Sequence, residues 1–255
     1  MLPEQRRKEI LGLANDQVEL TVEEIAQRFG VSRETARRDL VHLDARGLLR
    51  RIHGGALKSQ AASEPTLSDR MTENAEAKRR IARVAARCFE ENDTLMIDTG
   101  STTAFFAEEL ANFCRVTVIT NSLAVATRLW SGTARHRVYL IGGEFNGERG
   151  ETLGSVSLDQ LSGFRADHAV ITVGAIDAVG GFMDYDLEEA MIARTMIQQA
   201  RSVTVIADRS KFDHVAMAQV CELSAVARLI TDQAPPGPLT EALRAAGVEV
   251  LWPDV

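Results

Sequence analysis

Short polar motifs follow apolar, β-rich runs of this sequence, and their residue types could bind a small anion. The first motif, Asp98-Thr-Gly-Ser-Thr-Thr103, leads from such a run into a helical pattern. Gly100 would let the backbone approach an anion, and the hydroxyl groups and the N–H groups of the first helical turn would donate hydrogen bonds to it. Turns rich in serine and threonine are also good helix caps, so capping is the alternative role.

Polar or glycine-containing motifs recur after four more of these runs. They are Thr120-Asn121-Ser122, Gly142-Gly143-Glu144, Gly174-Ala175 and Asp208-Arg-Ser-Lys211-Phe. Because ligands of α/β sheets bind beside the carboxyl ends of the strands, five such motifs at one edge predict a pocket for a small, anionic, polyhydroxylated ligand. The alternative is that the whole set only caps helices and turns.

The elements that would position these motifs alternate between strand and helix. Strands are predicted over Thr94–Asp98, Val116–Thr120, Val138–Ile141, His168–Val173, Val203–Ala207 and Leu229–Thr231, and helices over 103–111, 122–130, 186–201 and 239–246. Such alternation predicts an α/β domain with a mostly parallel sheet covered on both faces.

A further helical pattern begins at Glu73, ahead of the first of these strands. It predicts an exposed basic face, made of Lys78, Arg79, Arg80 and Arg83. These cations could contact DNA, but pairing with Glu73 and Glu76 at helical spacing is the favoured interpretation.

Three helical patterns lie near the start of the chain. The first covers residues 3–15, and the second begins with a capping box of Thr21 and Glu24 and ends at Gly30. The third starts at the predicted cap Ser32. A tight turn between the second and third helices predicts a helix-turn-helix unit.

The third helix has one apolar side and one polar, basic side. Ala36, Leu40 and Leu43 fall on the side that would face a core. A helix placed in the major groove reads bases mainly with its first turns, so the candidate DNA contacts are Ser32, Arg33, Thr35, Arg37 and Arg38. The alternative is a solvated charged face, which the preceding capped turn makes less favourable.

Residues 48–56 predict a basic hairpin, with two short strands around a Gly54-Gly55 turn. A hairpin that follows a recognition helix is typical of a wing, which contacts the DNA backbone or minor groove. Its candidate contacts are Arg50, Arg51, His53 and Gly54. A plain hairpin without a DNA role is the alternative.

The uneven distribution of charge along the sequence supports two units with different partners. The 255 residues carry a net charge of −7, which argues against a chain that binds nucleic acid along its whole length. Residues 28–58 nevertheless hold eight basic and three acidic side chains, a net charge of +5. A short basic segment on a larger acidic body is therefore expected.

Several function classes are disfavoured by composition. No apolar run approaches the roughly 18–20 residues that span a membrane, and the start of the chain lacks the apolar core of a secretory signal. Cys88, Cys114 and Cys221 lack CxxC spacing, and the five histidines lack ligand spacing. We expect a cytoplasmic protein with reduced thiols, no membrane association, no metal and no cofactor.

The first sixty residues resemble the DeoR family of bacterial transcriptional regulators. The matching motifs are Leu20-Thr-Val-Glu-Glu-Ile-Ala26, Val31-Ser-Arg-Glu-Thr-Ala-Arg-Arg-Asp-Leu40, Gly47 and Arg51-Ile-His-Gly-Gly-Ala56. The family usually has Ile at the position of Ala36, which is a small change in the core. The resemblance implies a winged helix-turn-helix domain that binds double-stranded operator DNA.

The remainder resembles the C-terminal sensor domain of the same family, whose fold is related to ribose-5-phosphate isomerase and glucosamine-6-phosphate deaminase. The resemblance implies a phosphorylated sugar or sugar intermediate as effector. Ser101, Thr102 and Thr103 would hold its phosphate, and hydroxyls or phosphate would contact Asp98, Asn121, Glu144, Asp208 and Lys211. Ala193-Arg194 stands where the family often has Lys-Arg, so Arg194 could replace that lysine.

The kinship with isomerases makes an enzyme the main alternative. Isomerases of this fold carry an Asp-Gly-Ala-Asp-Glu stretch, whereas this chain has Val173-Gly-Ala-Ile-Asp177, with apolar residues at two acidic positions. Proton transfer between carbons needs a placed carboxylate or histidine. Asp177, beside Gly180-Gly181, is interpreted as a turn residue, so binding without catalysis is favoured. A scaffold with a vestigial pocket is a third possibility.

The combined prediction is a repressor of a carbohydrate catabolic operon that a phosphorylated sugar modulates. Its predicted parts are a DNA-binding domain over 1–57, a linker over 58–72 and a sensor and oligomerisation domain over 73–255. A homodimer or homotetramer is expected, because a single DNA-binding domain makes few DNA contacts. Met183–Glu189 and Asp208–Phe212 look nearest to the glycerol-3-phosphate repressor branch of the family.

Overall fold

The computed structural model describes residues 6–7, 9–10, 13, 19–45, 49–52, 54–58 and 66–253. The chain divides into two compact units, residues 1–64 and 65–255. No helix among the described residues is both long and apolar enough to cross a membrane.

The first unit has the predicted helix-turn-helix and wing. Its elements are β1 (Glu19–Thr21), α1 (Val22–Phe29), α2 (Arg33–Ala45), β2 (Leu49–Ile52) and β3 (Gly55–Lys58), and residues 6, 7, 9, 10 and 13 are helical. The strands form an antiparallel sheet in the order β1-β3-β2. The rest of the predicted first helix and residues 46–48 lie outside the described part of the chain.

Local signals fix both ends of α1. The Thr21 N–H donates to the Glu24 carboxylate at 2.8 Å, and the Glu24 N–H donates to the Thr21 hydroxyl at 3.2 Å. Gly30 ends the helix with a φ of 62°, which favours glycine because it lacks a Cβ. The predicted capping box and helix end are both confirmed.

The core of this unit is small and contains an ion pair. Ile10, Ile25 and Leu40 are each at most 1% exposed, and Ala36 and Leu43 are buried with them as predicted. Asp39, on α2, is 5% exposed and accepts a hydrogen bond from the Arg6 Nε at 2.6 Å. This pair joins the start of the chain to the recognition helix.

The wing differs from its prediction in one residue. Gly55 belongs to β3 and pairs with Ile52, so it lies in a strand rather than in the turn. A Cβ on Gly55 would lie 2.2 Å from the carbonyl oxygen of Leu20. Glycine is needed there because β1 approaches the wing closely.

The second unit is built on a seven-stranded sheet. Its helices are α3 (Leu67–Thr72), α4 (Ala75–Ala86), α5 (Ser101–Leu110), α6 (Leu123–Trp130), α7 (Ser155–Ser162), α8 (Leu187–Gln199) and α9 (Gly237–Ala245). Its strands are β4 (Thr94–Ile97), β5 (Thr117–Thr120), β6 (Arg137–Leu140), β7 (Glu144–Asn146), β8 (Glu151–Leu153), β9 (Ala166–Ile171), β10 (Ala175–Asp177), β11 (Gly181–Asp184), β12 (Ala200–Ile206), β13 (Ala218–Cys221), β14 (Arg228–Ile230) and β15 (Glu249–Leu251).

The main sheet has the order β15-β14-β12-β9-β4-β5-β6, and all its neighbours are parallel. Leu95 and Ile97 of β4 pack with α4, α5 and α6, whereas Met96 packs on the opposite face with α7, α8 and α9. Successive side chains of a strand point to opposite faces, so the apolar runs are buried on both sides. The predicted α/β class and the parallel sheet are confirmed.

Several parts of this unit were not expected from the sequence. Residues 67–72, in the predicted linker, form helix α3, whereas residues 59–65 lie outside the described residues. Lys78 was predicted to be exposed, and this was wrong, since it is buried at 4% exposure. Antiparallel strands β7–β8 and β10-β11-β13 form two additional small sheets.

The three cysteines are free thiols, and burial raises the pKa of Cys221 to about 12.

Candidate functional site

Helix α2 carries the basic residues that were predicted to read DNA. The side chains of Arg33 and Arg38 are 68% and 79% exposed, and Arg37 is exposed as well. Arg33 lies 3.4 Å from a Glu23 carboxylate oxygen, and Arg38 lies 3.2 Å from one of Glu34. Exposed ion pairs are worth at most about 1 kcal/mol, so both arginines can exchange them for DNA.

Ser32 and Thr35 hold the start of α2. The Thr35 N–H donates to the Ser32 hydroxyl at 3.1 Å, and the two hydroxyl oxygens lie 2.9 Å apart. The predicted cap at Ser32 is confirmed, whereas a DNA contact by either hydroxyl stays a prediction.

The wing presents only one of its candidate contacts in the described part of the chain. Gly54 is exposed in the turn, with a φ of 91°. The side chains of Arg50 and Arg51 and the whole of His53 lie outside the described residues. Their DNA contacts stay predictions.

The main sheet brings the predicted strand-end motifs to one edge. Along the order β12-β9-β4-β5, the chain leaves successive strands toward Asp208, Gly174, Asp98 and Asn121. All these strands are parallel, so their carboxyl ends share an edge, as the sequence predicted.

The loop from Asp98 to Thr103 is enclosed. A Cβ on Gly100 would lie 2.3 Å from the Thr172 Cγ2, so only glycine fits beside the end of β9. Ser101, Thr102 and Thr103 open α5 with side chains that are at most 5% exposed. The Thr103 hydroxyl donates to the Gly100 carbonyl at 3.0 Å. The first-turn N–H groups of α5 have no side-chain cap, and an N-terminus of this kind suits an anion.

Hydrogen bonds connect the ends of β4 and β5. The Thr99 hydroxyl lies 3.3 Å from the Asn121 Oδ1, and the Asn121 amide donates to the Thr152 carbonyl at 3.1 Å. The same amide lies 3.4 Å from the Glu151 Oε2, and the Glu151 side chain is buried. Glu151 therefore belongs to the site although no sequence signal pointed to it.

Buried acidic side chains surround Asp98. Burial raises the pKa of Asp98 well above its usual range, and the nearby charges of Glu151, Glu189 and Asp184 raise it further. Burial also raises the pKa of Glu151. These carboxyl groups take up protons more readily than exposed ones, which lets them donate hydrogen bonds to ligand oxygens as well as accept them.

Arg149 neutralises part of this acidic cluster. Its guanidinium contacts Glu189 and lies 2.9 Å from a carboxylate oxygen of Asp186. Burial works against ionisation of Asp186, but the hydrogen bonds from the Glu188 N–H and Arg149 lower its pKa overall. Arg149 lies in the connection between β7 and β8, where no periodic pattern could reveal it.

A second group of charges lies at the end of β12. The Asp208 Oδ1 accepts hydrogen bonds from the Ser210 N–H at 3.0 Å and from the Asn74 side chain at 3.2 Å. Asp208 and Lys211 both act electrostatically on the buried ammonium of Lys78, whose pKa is lowered mainly by burial. Asp208 and Lys211, which were predicted to contact the effector, thus lie near a third charged residue. That residue is Lys78, which was predicted to be exposed.

Other predicted residues have different surroundings. Glu144 is exposed on β7, and Gly143, with a φ of 151°, packs where a Cβ would come 2.6 Å from the Leu153 carbonyl oxygen. The Gly174 backbone lies against the Tyr185 ring. The Arg194 guanidinium donates to the Gln219 carbonyl, and contact with an effector stays untested.

Asp177 has the geometry of a turn residue, as predicted. Its Oδ1 accepts hydrogen bonds from the N–H groups of Val179 and Gly180 at 2.9 and 2.8 Å. These hydrogen bonds lower the pKa of Asp177 and make it a weaker base. Among the residues that the structure describes, no three His, Cys, Asp or Glu side chains could hold a metal ion.

A basic winged helix-turn-helix unit, joined in one chain to an α/β unit with a polar strand-end site, defines a DNA-binding transcriptional regulator. Residues 6–61 match the DeoR-like helix-turn-helix domain, and residues 73–233 match the DeoR C-terminal sensor domain. The chain belongs to the DeoR family.

Relatives align over almost the whole chain. The glycerol-3-phosphate regulon repressor of Escherichia coli is 34% identical over 94% of each chain. The transcriptional repressor GlcR of Bacillus subtilis is 34% identical over 98% of this chain and 96% of its own, and CsqR of Escherichia coli is 31% identical over 98% and 95%. Ribose 5-phosphate isomerase A of Methanocaldococcus jannaschii is 17% identical, covers 55% of each chain and has a TM-score of 0.41.

Proposed function

We propose that this protein represses a carbohydrate catabolic operon and that a phosphorylated sugar or sugar intermediate modulates its binding to operator DNA. The observation that carries the proposal is the enclosed loop Asp98–Thr103, which presents helix N–H groups beside carboxyl groups suited to hydroxyls. The relatives are named as repressors, one of them of a glycerol-3-phosphate regulon. An effector that prefers one conformation of the protein would shift the DNA-competent population.

The domain functions follow from this proposal. Residues 1–57 bind DNA through Ser32, Arg33, Thr35, Arg37 and Arg38 and through the wing, and residues 73–255 bind effector and assemble the oligomer. Exposed apolar side chains support assembly, since Leu140 on the edge strand β6 and Phe145 on β7 are 48% and 56% exposed. Light scattering coupled to size exclusion would distinguish monomer, dimer and tetramer.

Binding without catalysis is the favoured mode for the sensor unit. Asp177 lies in the stretch that resembles the catalytic acids of isomerases, and its carboxylate is occupied by two turn N–H groups. A weaker base in a turn is poorly suited to move protons between carbons. Turnover of a sugar phosphate by the purified chain would instead support the alternative of an enzyme with a DNA-binding head.

A thermal-shift panel tests the effector class. Sugar phosphates such as sn-glycerol 3-phosphate, ribose 5-phosphate, fructose 6-phosphate and glucosamine 6-phosphate would each be compared with the parent compound lacking phosphate. We expect at least one phosphorylated member to stabilise the chain, by about 2.7 kcal/mol at 100 times its Kd, and its parent to have little effect. Stabilisation by none of them would remove the support for a sugar-phosphate effector.

Arg38→Ala is expected to weaken specific DNA binding by about 1–3 kcal/mol, because a bidentate contact to a base would be lost. The measurement is affinity for a site selected from random-sequence DNA, compared with affinity for unrelated DNA at the same salt concentration. Arg244→Ala, which removes an exposed arginine of α9, is the control. Equal losses on both DNAs would assign Arg38 to phosphate contacts, and no loss would remove it from the interface.

A further inference from the structure

We propose that residues 67–78 form a strap across the loop Asp98–Thr103. We further propose that the buried cations Arg70 and Lys78 of this strap bind the anionic group of the effector. This inference rests on the proposed function, because it assigns residues to the same effector site. Neither cation was expected there, since residues up to 72 were predicted to be a linker and Lys78 was predicted to be exposed.

One end of the strap is fixed at the end of β12. The Asn74 amide donates to the Asp208 carboxylate at 3.2 Å, and Asn74 adopts a φ of 51° that orients the chain into α4. The Lys78 ammonium donates to the carbonyl oxygens of Arg70 at 2.7 Å and of Glu73 at 2.8 Å. These bonds close the corner between α3 and α4 around a buried positive charge.

The other end of the strap lies near the end of β5. Arg70 is 7% exposed and acts electrostatically on Glu151, whose carboxylate lies 3.4 Å from the Asn121 amide. The Leu67 side chain is 3.5 Å from the position of a Cβ on Gly150, directly before Glu151. Helix α3 also packs against α5, whose first turn ends the loop Asp98–Thr103, here called the anion loop.

The sheet order places the anion loop between these two ends. Because β9 and β4 lie between β12 and β5, a strap held at Asp208 and near Glu151 crosses the ends of β9 and β4. The loop Asp98–Thr103 follows β4 directly. This crossing explains why Ser101, Thr102 and Thr103 are almost fully buried, although they form the first turn of α5 at the sheet edge.

Charge gives the strap a role in binding. Those of Asp98, Glu151, Asp184 and Glu189 that remain ionised would repel a phosphate, so the site needs cations close to the loop Asp98–Thr103. An ammonium has three donors, and in the described part of the chain Lys78 uses two of them on backbone carbonyls, which leaves the third for an anion. Arg70 adds a buried guanidinium, a group that suits phosphate oxygens.

The position of the strap along the chain extends its role to regulation. Helix α3 begins at Leu67, and the DNA-binding unit ends within the preceding segment, by residue 64. A ligand that binds Arg70 and Lys78 therefore acts on the first helix that the structure describes after the DNA-binding unit. Occupancy of the site would restrict the conformational freedom of this helix.

The test compares two pairs of full-length variants. Lys78→Met removes the buried charge at similar length, and Arg80→Met makes the same kind of change at an exposed position of the same helix. Asn74→Gly removes the bond to Asp208 while tolerating positive φ, and Asn92→Gly is its control, since Asn92 also has a positive φ of 73°. The ligands are inorganic phosphate and the most stabilising sugar phosphate of the panel.

We expect Lys78→Met to weaken binding of both ligands by tenfold to about a hundredfold and Asn74→Gly by roughly threefold to tenfold, with both controls near wild type. Ligand should also slow amide hydrogen exchange over residues 66–78 in the wild-type chain and much less in Asn74→Gly. This second measurement decides the question if Lys78→Met does not fold.

The outcomes separate this inference from the proposed function. If the wild-type chain binds a sugar phosphate and both strap variants bind it equally well, the strap is wrong and the proposed function stands. If strap exchange is unchanged by ligand, the regulatory role is wrong. If the wild-type chain binds neither phosphate nor any sugar phosphate, the proposed function fails and the strap fails with it.

Discussion

Asp39→Ala is expected to destabilise the DNA-binding unit by about 3–5 kcal/mol, although Asp39 is buried and is not one of the predicted DNA contacts. The substitution leaves the Arg6 guanidinium, which is 7% exposed, without the carboxylate that its Nε contacts at 2.6 Å. Arg7 also lies 3.7 Å from this carboxylate. An uncompensated buried cation is among the largest penalties that a single substitution produces.

The small size of the unit makes this penalty decisive. Its described core consists of a few side chains from the first helix, β1, α1 and α2, and domains of this size are stable by only a few kcal/mol. We therefore expect Asp39→Ala to lose operator binding at physiological temperature. The sensor unit has its own core and should still respond to ligand.

Amide hydrogen exchange of the full chain measures the effect directly. Exchange over residues 22–45 should approach that of an unfolded chain, while protection of β4, β9 and β12 remains. Glu34→Ala is the matched control, because Glu34 is an exposed acid on the same helix and its pair with Arg38 should contribute less than about 1 kcal/mol. Native protection of residues 22–45 in Asp39→Ala would contradict the expectation.

A double variant separates charge from packing. Arg6→Met with Asp39→Leu replaces the ion pair by apolar side chains, a change that is often neutral or stabilising when the new side chains pack well. We expect it to recover most of the stability that Asp39→Ala loses. Recovery would show that the pair serves to satisfy its own buried charges.

The helices, strands and sheet type could be predicted wherever burial and backbone geometry constrain the residue types of one segment by itself. Strands buried on both faces must be apolar throughout, so runs such as Thr94–Ile97 and Ala166–Ile171 were recognisable, and their alternation with helices required a parallel sheet. Capping is equally local, which is why Thr21, Glu24 and Gly30 could be assigned without tertiary information. The edge that carries Asp98, Asn121 and Asp208 followed from the same topology.

The composition of the site was predictable only in part, because burial of polar residues depends on contacts between distant segments. Lys78 lies on the polar side of α4, and periodicity alone assigns that side to solvent. Lys78 is instead buried and donates to the Arg70 carbonyl of α3, a helix of six residues whose polar sequence resembles a linker. Arg149 and Glu151 lie in a hairpin of three-residue strands, which is too short for a periodic signal.

Asp98→Asn is expected to stabilise the sensor unit at neutral pH while weakening effector binding. Burial and the charges of Glu151, Glu189 and Asp184 oppose ionisation of Asp98 in the folded chain, whereas the unfolded chain ionises it freely. Asparagine cannot ionise, and its Oδ1 can still accept the hydrogen bond from the Thr99 N–H, which measures 2.8 Å in the native site. The substitution therefore removes the free-energy cost of a buried carboxyl group that resists ionisation, and it keeps the local geometry.

The sign of the pH dependence follows from the raised pKa. The folded chain binds the Asp98 proton more tightly than the unfolded chain, so the wild-type stability that this group provides is present below about pH 4 and is lost as pH rises toward the folded-state pKa. The free-energy difference between Asp98→Asn and wild type should thus be near zero at low pH. It should then grow by at most about 1.4 kcal/mol per pH unit and become constant above the folded-state pKa.

Denaturant unfolding of both chains between pH 4 and pH 8 measures this difference. Asp159→Asn makes the same change at an exposed position of α7 and should show no comparable growth with pH. A flat difference for Asp98→Asn would mean that Asp98 ionises in the folded chain as easily as in the unfolded one. Growth with pH, together with weaker binding of the stabilising sugar phosphate, would mean that the chain maintains a destabilising carboxyl group because the ligand requires it.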